Sequence, residues 1–321
     1  MPTMTAAFIG VDWGTTHRRA ALIGADGTLL SERADDEGAL ACKGRFRASL
    51  EALVAGWAEA DAALPVVMAG MVGAAAGWQA VPYLEGRTPL SELARHLARV
   101  ADAPAGRRWF IAPGYCLKDE AQGTVDVMRG EETQLFGALR LLGDGAADGC
   151  YVLPGTHSKW VRLRAGRIVE LRTYMTGELF ALLRQHGTLA SAMQTADADT
   201  AAGLRHDSVA DSPDFLRGVA DAGAGPVLTH ALFGARARVV TGALAPAAAS
   251  AYISGLLIGA EWADAQRLPS RDEPVRVIGE PALAALHAVC AHHHGRRLES
   301  LDARQIQLAA WRALAAEELP A

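Results

Sequence analysis

Two short stretches and one pair of acids carry the residue types that could do chemistry. The first stretch is Asp12-Trp13-Gly14-Thr15-Thr16, set between the apolar runs Ala6–Gly10 and Ala20–Ile23. A glycine there lets backbone approach a bulky anion, the two threonines offer hydroxyl and amide donors, and Asp12 can hold a hydrated Mg2+ beside phosphates. A hairpin whose Asp and Thr only satisfy turn amides explains the same residues. The second stretch, Pro154-Gly155-Thr156-His157-Ser158-Lys159, again follows an apolar run and precedes an alternating one. The acids are Glu131 and Glu132, after Arg129-Gly130 and ahead of Leu135, Ala138, Leu139 and Leu142. That spacing predicts a helix, and its first-turn carboxylates either compensate the helix dipole or accept a proton.

The elements that must position these groups follow from the pattern. Each Gly–Thr turn is flanked by strands and leads through a small turn, Gly24–Gly27 or Ala165-Gly166, to a third strand. A unit duplicated half a chain apart implies two related domains, 1–145 and 146–321, each donating one loop. Residues 34–44 read as a loop. Phe46, Leu50, Leu53, Val54 and Trp57 predict a helix, as do Leu90, Leu93, Leu97 and Val100. Pro65–Gly70 reads as a buried parallel strand running into the small-residue loop Met71–Trp78. Ligands of open α/β sheets bind outside the carboxyl ends of strands, which makes Gly70, Met71 and Trp78 substrate-site candidates, although Met71 and Trp78 equally read as core. Residues 143–149 are the most linker-like. Thr176 reads as a helix N-cap with Glu178 in the first turn, and 188–226 as short helices and loops. Helices are expected over Leu228–Val240 and Ala251–Gln266, and a strand over Pro274–Glu280, whose Gly279 turn offers backbone to an adenine ring.

Composition bounds the partner. The 321 residues are 50% hydrophobic and 21% charged with a formal net charge of −5, which leaves no basic face for nucleic acid. No apolar run reaches the length of a membrane span, so no membrane partner is expected. Four scattered cysteines without a Cys-x-x-Cys pair predict free thiols and a cytoplasmic location. His292-His293-His294 reads as a polar helix end.

Taken together, Asp12–Thr16, Val67–Gly73, Val127–Leu135, Pro154–Val161, Met175–Leu179 and Ser254–Glu261 resemble the 2-dehydro-3-deoxygalactonokinase family of the actin/hexokinase/Hsp70 sugar kinase superfamily, over nearly the whole chain. The resemblance implies an α/β fold of two ribonuclease-H-like domains, a mixed sheet in each, closing over an interdomain cleft. It implies transfer of the ATP γ-phosphoryl group, with Mg2+, to the terminal hydroxyl of 2-dehydro-3-deoxy-D-galactonate in galactonate breakdown. The first phosphate loop falls on Asp12, Gly14, Thr15 and Thr16, with Asp12 toward the metal. The second falls on Gly155, Thr156 and His157, and the adenosine region on Gly279 and Glu280, where the superfamily often has a glycine pair. The superfamily's catalytic Asp is replaced by Gly130, so Glu131 is taken as the base with Glu132 as second choice. Arg129 is taken for the sugar carboxylate, with Lys159 and Arg18 as alternatives, and the role of His17 is open. A homodimer is left open. The competing readings are a kinase of another sugar acid or keto sugar and a non-catalytic nucleotide-dependent clamp of the same fold.

Overall fold

A computed structural model describes residues 5–57, 64–119, 123–193, 209–223, 227–270 and 272–320. In chain order the strands and helices are β1 (Ala6–Trp13), β2 (Arg18–Gly24), β3 (Leu29–Asp35), α1 (Phe46–Leu53), β4 (Val66–Gly70), β5 (Leu84–Glu85), β6 (Ala98–Arg99), β7 (Trp109–Ile111), β8 (Tyr115–Asp119), β9 (Thr124–Met128) and α2 (Glu131–Leu142). Then come β10 (Gly149–Leu153), β11 (Ser158–Arg164), β12 (Arg167–Tyr174), α3 (Thr176–Gln185), α4 (Gly187–Met193), α5 (Pro213–Gly223), α6 (Leu228–Val240), α7 (Ala249–Ala265), β13 (Val275–Gly279), α8 (Pro281–His293), β14 (Leu298–Asp302) and α9 (Ala303–Ala316).

The chain divides into two compact units: residues 1–148, 163–171 and 303–321, and residues 149–162 and 172–302. The first unit holds a six-stranded sheet in the order β3-β2-β1-β4-β7-β6. Its first three strands form an antiparallel meander, and β4 and β7 add in parallel beside β1. The five-stranded sheet, order β12-β11-β10-β13-β14, repeats that plan, with β13 and β14 parallel to β10. Three consecutive strands followed by two parallel ones on the far side of the first is the ribonuclease-H-like arrangement. The chain therefore carries it twice, each time in a mixed sheet.

Burial follows from the strand sequences. β4, Val-Val-Met-Ala-Gly, is buried at every position, as a central parallel strand covered on both faces must be. α1 presents Phe46, Ser49, Leu50 and Leu53 to the sheet at helical spacing. α2 packs against α9, where Gly137 lies so close to Ile306 that a Cβ would come within 2.1 Å of its carbonyl oxygen. In the second unit α7 is buried along nearly its whole length. Its Gly255 and Gly259 let α5 approach closely, as their size leads one to expect.

Three local expectations fail. The helix read through Trp57 ends at Leu53, and Val54 and Trp57 are buried from the turns that follow. Leu90–His96 is a 3-10 helix rather than part of a helix reaching Val100, and Ala98–Arg99 pairs with β7 as an edge strand. Leu90 and Leu93 are buried on the tighter helix and Val100 beyond the strand, so one apolar stripe served three different backbones. Thr176 is the first residue of α3, without a side-chain capping bond to the helix. Of the segment read as short helices and loops, 187–193 and 213–223 are helical, and 194–208 and 224–226 lie outside the described residues.

Candidate active site

In the first unit, β1 ends at Trp13 and β2 begins at Arg18, leaving Gly14–His17 as the turn. Thr15, Thr16 and His17 are exposed there. Asp12 sits one residue inside the strand, beside the end of β4, with which it pairs at Ala69. Burial raises its carboxyl to about 6, against an opposing pull from Arg19, and the charge of Glu131 adds to the rise. A carboxylate so placed gains from a divalent cation. One carboxylate with water and phosphate oxygens is also how Mg2+ is usually held. Among the described residues no group of three or more His, Cys, Asp or Glu side chains forms a protein-only metal cage.

Two glycines shape the same corner. Gly70, at the end of β4, and Gly130, just ahead of α2, adopt φ of 93° and 113°, a region closed to most side chains. A Cβ on Gly130 would lie 3.4 Å from Gly70 Cα, and one on Gly70 3.7 Å from Asp12 Oδ1. The first turn of α2 is thereby delivered to the carboxyl end of β1 and β4, bringing together Asp12, Gly70, Arg129, Glu131 and Glu132.

The two glutamates occupy different environments. The Arg129 N–H donates to Glu131 Oε2 at 3.1 Å, and Glu131 stays partly exposed. The Gly130 N–H donates to Glu132 Oε2 at 2.6 Å, while Oε1 is buried without a partner among the described residues. Glu132 is 0% exposed. Burial, reinforced by the charge of Glu131, pushes its carboxyl up to about 8, so near neutrality it carries a proton. Arg129 points its Nη2 at the Val81 carbonyl, 2.6 Å away, and lies over the Tyr83 ring. Its Nε and Nη1 are buried and have no acceptor among the described residues. Donors of this kind suit a carboxylate that arrives with a ligand.

The small-residue loop divides. Met71 and Trp78 both pack on the core of this unit. Trp78 stacks on Phe46 with ring centroids 6.3 Å apart and donates its indole N–H to Asp102.

In the second unit the corresponding turn is residues 154–157, with Gly155, Thr156 and His157 exposed. The start of α3 backs it: the Glu178 N–H donates to the Thr156 carbonyl at 2.9 Å, and a Cβ on Gly177 would come within 2.3 Å of Gly155 O. Glu178 also meets His157 Nε2 through Oε2 at 2.5 Å. Sequence reasoning missed Glu261. This residue, 2% exposed on α7, accepts from Ser158 Oγ and Trp160 Nε1 on one oxygen and from Thr176 Oγ1 on the other. Thr176 thus spends its hydroxyl on Glu261 in place of the expected cap.

Next to the turn is a cleft, open to solvent and lined in part by Gly155, Thr176, Glu261, Leu283, Leu286 and His287. His287 accepts the Trp262 indole N–H on Nδ1, which puts its own proton on Nε2, and burial lowers its pKa. Gly279 ends β13 against Pro154, where a Cβ would lie 2.9 Å from Cγ, and Glu280 is exposed just before α8. Neither is among the residues lining the cleft.

Comparison with known proteins shows the family. The family model described as 2-keto-3-deoxy-galactonokinase matches residues 12–314. A Rhizobium meliloti protein named as a 2-dehydro-3-deoxygalactonokinase is 38% identical over 303 residues, 94% of each chain. The Escherichia coli 2-dehydro-3-deoxygalactonokinase is 37% identical over 287 residues, 88% of each chain. A crystal structure described as a 2-dehydro-3-deoxygalactonokinase protein from Sinorhizobium meliloti superposes with a TM-score of 0.84 at 36% identity, covering 96% of this chain and 98% of that one. The doubled ribonuclease-H-like fold, together with these relatives, places the chain among sugar-kinase-type phosphotransferases. Within that class, the chain belongs to the 2-keto-3-deoxy-galactonokinase family.

Proposed function

We propose that the chain transfers the γ-phosphoryl group of ATP to the terminal hydroxyl of 2-dehydro-3-deoxy-D-galactonate. Family membership supports the reaction, and the observation that carries the residue roles is the placing of Glu131, which accepts the Arg129 backbone N–H, beside a guanidinium whose Nε and Nη1 have no acceptor among the described residues. Phosphoryl transfer asks mainly for positioning and charge neutralisation, with a carboxylate to take the hydroxyl proton. Glu131, partly exposed, is that acceptor; Glu132, buried and holding a proton, is not. Arg129 holds the sugar carboxylate through one of its two unspent nitrogens, Nε or Nη1, and Gly70 leaves the acceptor room. Thr15, Thr16, Gly155, Thr156 and His157 bind the phosphates of the nucleotide. Its adenosine end lies toward Gly279, Glu280 and the neighbouring cleft. Mg2+, held by Asp12, neutralises charge on the transferring group when bound.

The reading is tested by incubating the purified chain with ATP, Mg2+ and a panel of sugar acids at equal concentration. ADP release is followed, and the product is identified by mass. Turnover led by 2-dehydro-3-deoxy-D-galactonate is expected. Preference for a gluconate-derived or neutral sugar overturns the substrate, and nucleotide binding without sugar-stimulated turnover restores the clamp.

A further inference from the structure

The segment between β3 and α1 does more than join them. Three consecutive amides of this strap, Gly38, Ala39 and Leu40, donate to the carbonyls of Thr16, Gly14 and Thr15 at 3.1, 2.9 and 3.1 Å. Gly38 lies so close that a Cβ would stand 2.4 Å from Thr15 O and Thr16 N. In a trans peptide the carbonyl and the following N–H point in opposite directions. With the carbonyls of residues 14–16 committed to the strap, the amides of Thr15, Thr16 and His17 turn away from it. A run of backbone N–H groups facing outward is an anion-binding arrangement.

What fixes the strap is Glu37. Its Oε2 accepts from Ser49 Oγ at 2.5 Å and Arg18 Nη2 at 3.1 Å, and its Oε1 from Arg45 Nη2 at 2.8 Å. Its carbonyl accepts from Trp13 Nε1 at 3.0 Å and from Cys42 Sγ at 3.3 Å. Arg18, with a side chain only 2% exposed, is itself clamped on Asp35 and lies over the Trp13 ring. The partners thus come from β1, β2, α1 and the strap's own end, and each is oriented toward this one residue.

We propose that Glu37 is a positioning residue for nucleotide binding: it holds the Gly38–Leu40 strap against the first Gly–Thr turn and so aims that turn's amides at the polyphosphate. The inference rests on the assignment of this turn to the nucleotide. Hydrogen bonds from Arg45 and then Ser49 hold the Glu37 carboxyl at about 2, so the device does not switch with physiological pH.

The test measures Mg·ADP affinity calorimetrically, with thermal melts to verify folding. Glu37→Gln keeps the shape and loses charge, Gly38→Ala pushes on the turn, and half-exposed Arg45→Ala removes one partner with little risk to folding. ADP affinity is expected to fall about tenfold in the first two and about threefold in the third, with KM for the sugar acid unchanged. A purely structural role would lower the melting temperature and leave the affinity of the folded protein alone. Parent-like ADP affinity in the folded variants overturns the proposal, and folded Arg45→Ala decides it if the other two do not fold. Thr15→Ala separates the two levels. If it too leaves ADP affinity untouched, the assignment of the turn fails; if it weakens binding while Glu37→Gln does not, only the role of Glu37 fails.

Discussion

The Arg129 guanidinium carbon lies 4.3 Å from the centroid of the Tyr83 ring, so the cation rests over an aromatic face while two of its nitrogens stay unspent. A planar fork already oriented loses little freedom on binding a carboxylate. Arg129→Lys keeps the charge but forfeits the planar donor set that rests over Tyr83. It should raise KM for the sugar acid by about 10- to 100-fold, a loss of roughly 1.5–3 kcal/mol, with KM for ATP unchanged. Steady-state kinetics with each substrate varied in turn checks this.

The unlike surroundings of the adjacent glutamates predict unlike mutants. Glu131→Gln should lower kcat by about 10²- to 10⁴-fold, the usual contribution of a general base, while ADP still binds. Glu132→Gln replaces a carboxyl that already carries its proton at neutral pH, and the new carbonyl can still accept from Gly130, so activity at pH 7 should survive. Single-turnover assays on both variants distinguish them. Equal losses would show that the two acids act as a unit.

Asp12 gives a prediction with a sign. Its folded-state pKa of about 6 stands above the ordinary 3.8. The stability this shift represents is complete below the ordinary value and is lost as pH rises through about 6. Asp12→Asn should therefore be more stable than the parent at neutral pH, by on the order of 1–2 kcal/mol after allowance for partial exposure. The two should converge in acid. Urea denaturation across a pH series reads the gap, and the same variant should lose turnover.

Glu261, itself buried, joins buried Ser158 and Trp160 and half-buried Thr176. Glu261→Ala strands three donors and should cost about 3–5 kcal/mol, whereas Glu261→Gln keeps an acceptor and should cost less. Chemical denaturation of the two proteins measures the difference.

The paired turns were legible because each lies between apolar runs that can only be strands, and a pattern seen twice is hard to produce by accident. The acids of α2 were legible as a helix start for the same local reason. What escaped was whatever depends on distant partners. Thr176 followed by Glu178 looks the same whether the hydroxyl caps its helix or reaches Glu261, which lies 85 residues further along. The 34–44 segment read as a polar loop because nothing local reveals that Glu37 collects Arg18, Arg45 and Ser49. Nor did sequence separate Glu131 from Glu132, since burial is decided by packing.

The placement of α9 bears on how the protein is made. Gly10, in the strand that carries Asp12, lies with its α-carbon against the Trp311 indole, where an added methyl would sit 2.3 Å from the ring. The first sheet to leave the ribosome therefore waits, with one face uncovered, for a helix synthesised some three hundred residues later. Until then that face is an exposed apolar surface, the kind that invites chaperones or aggregation.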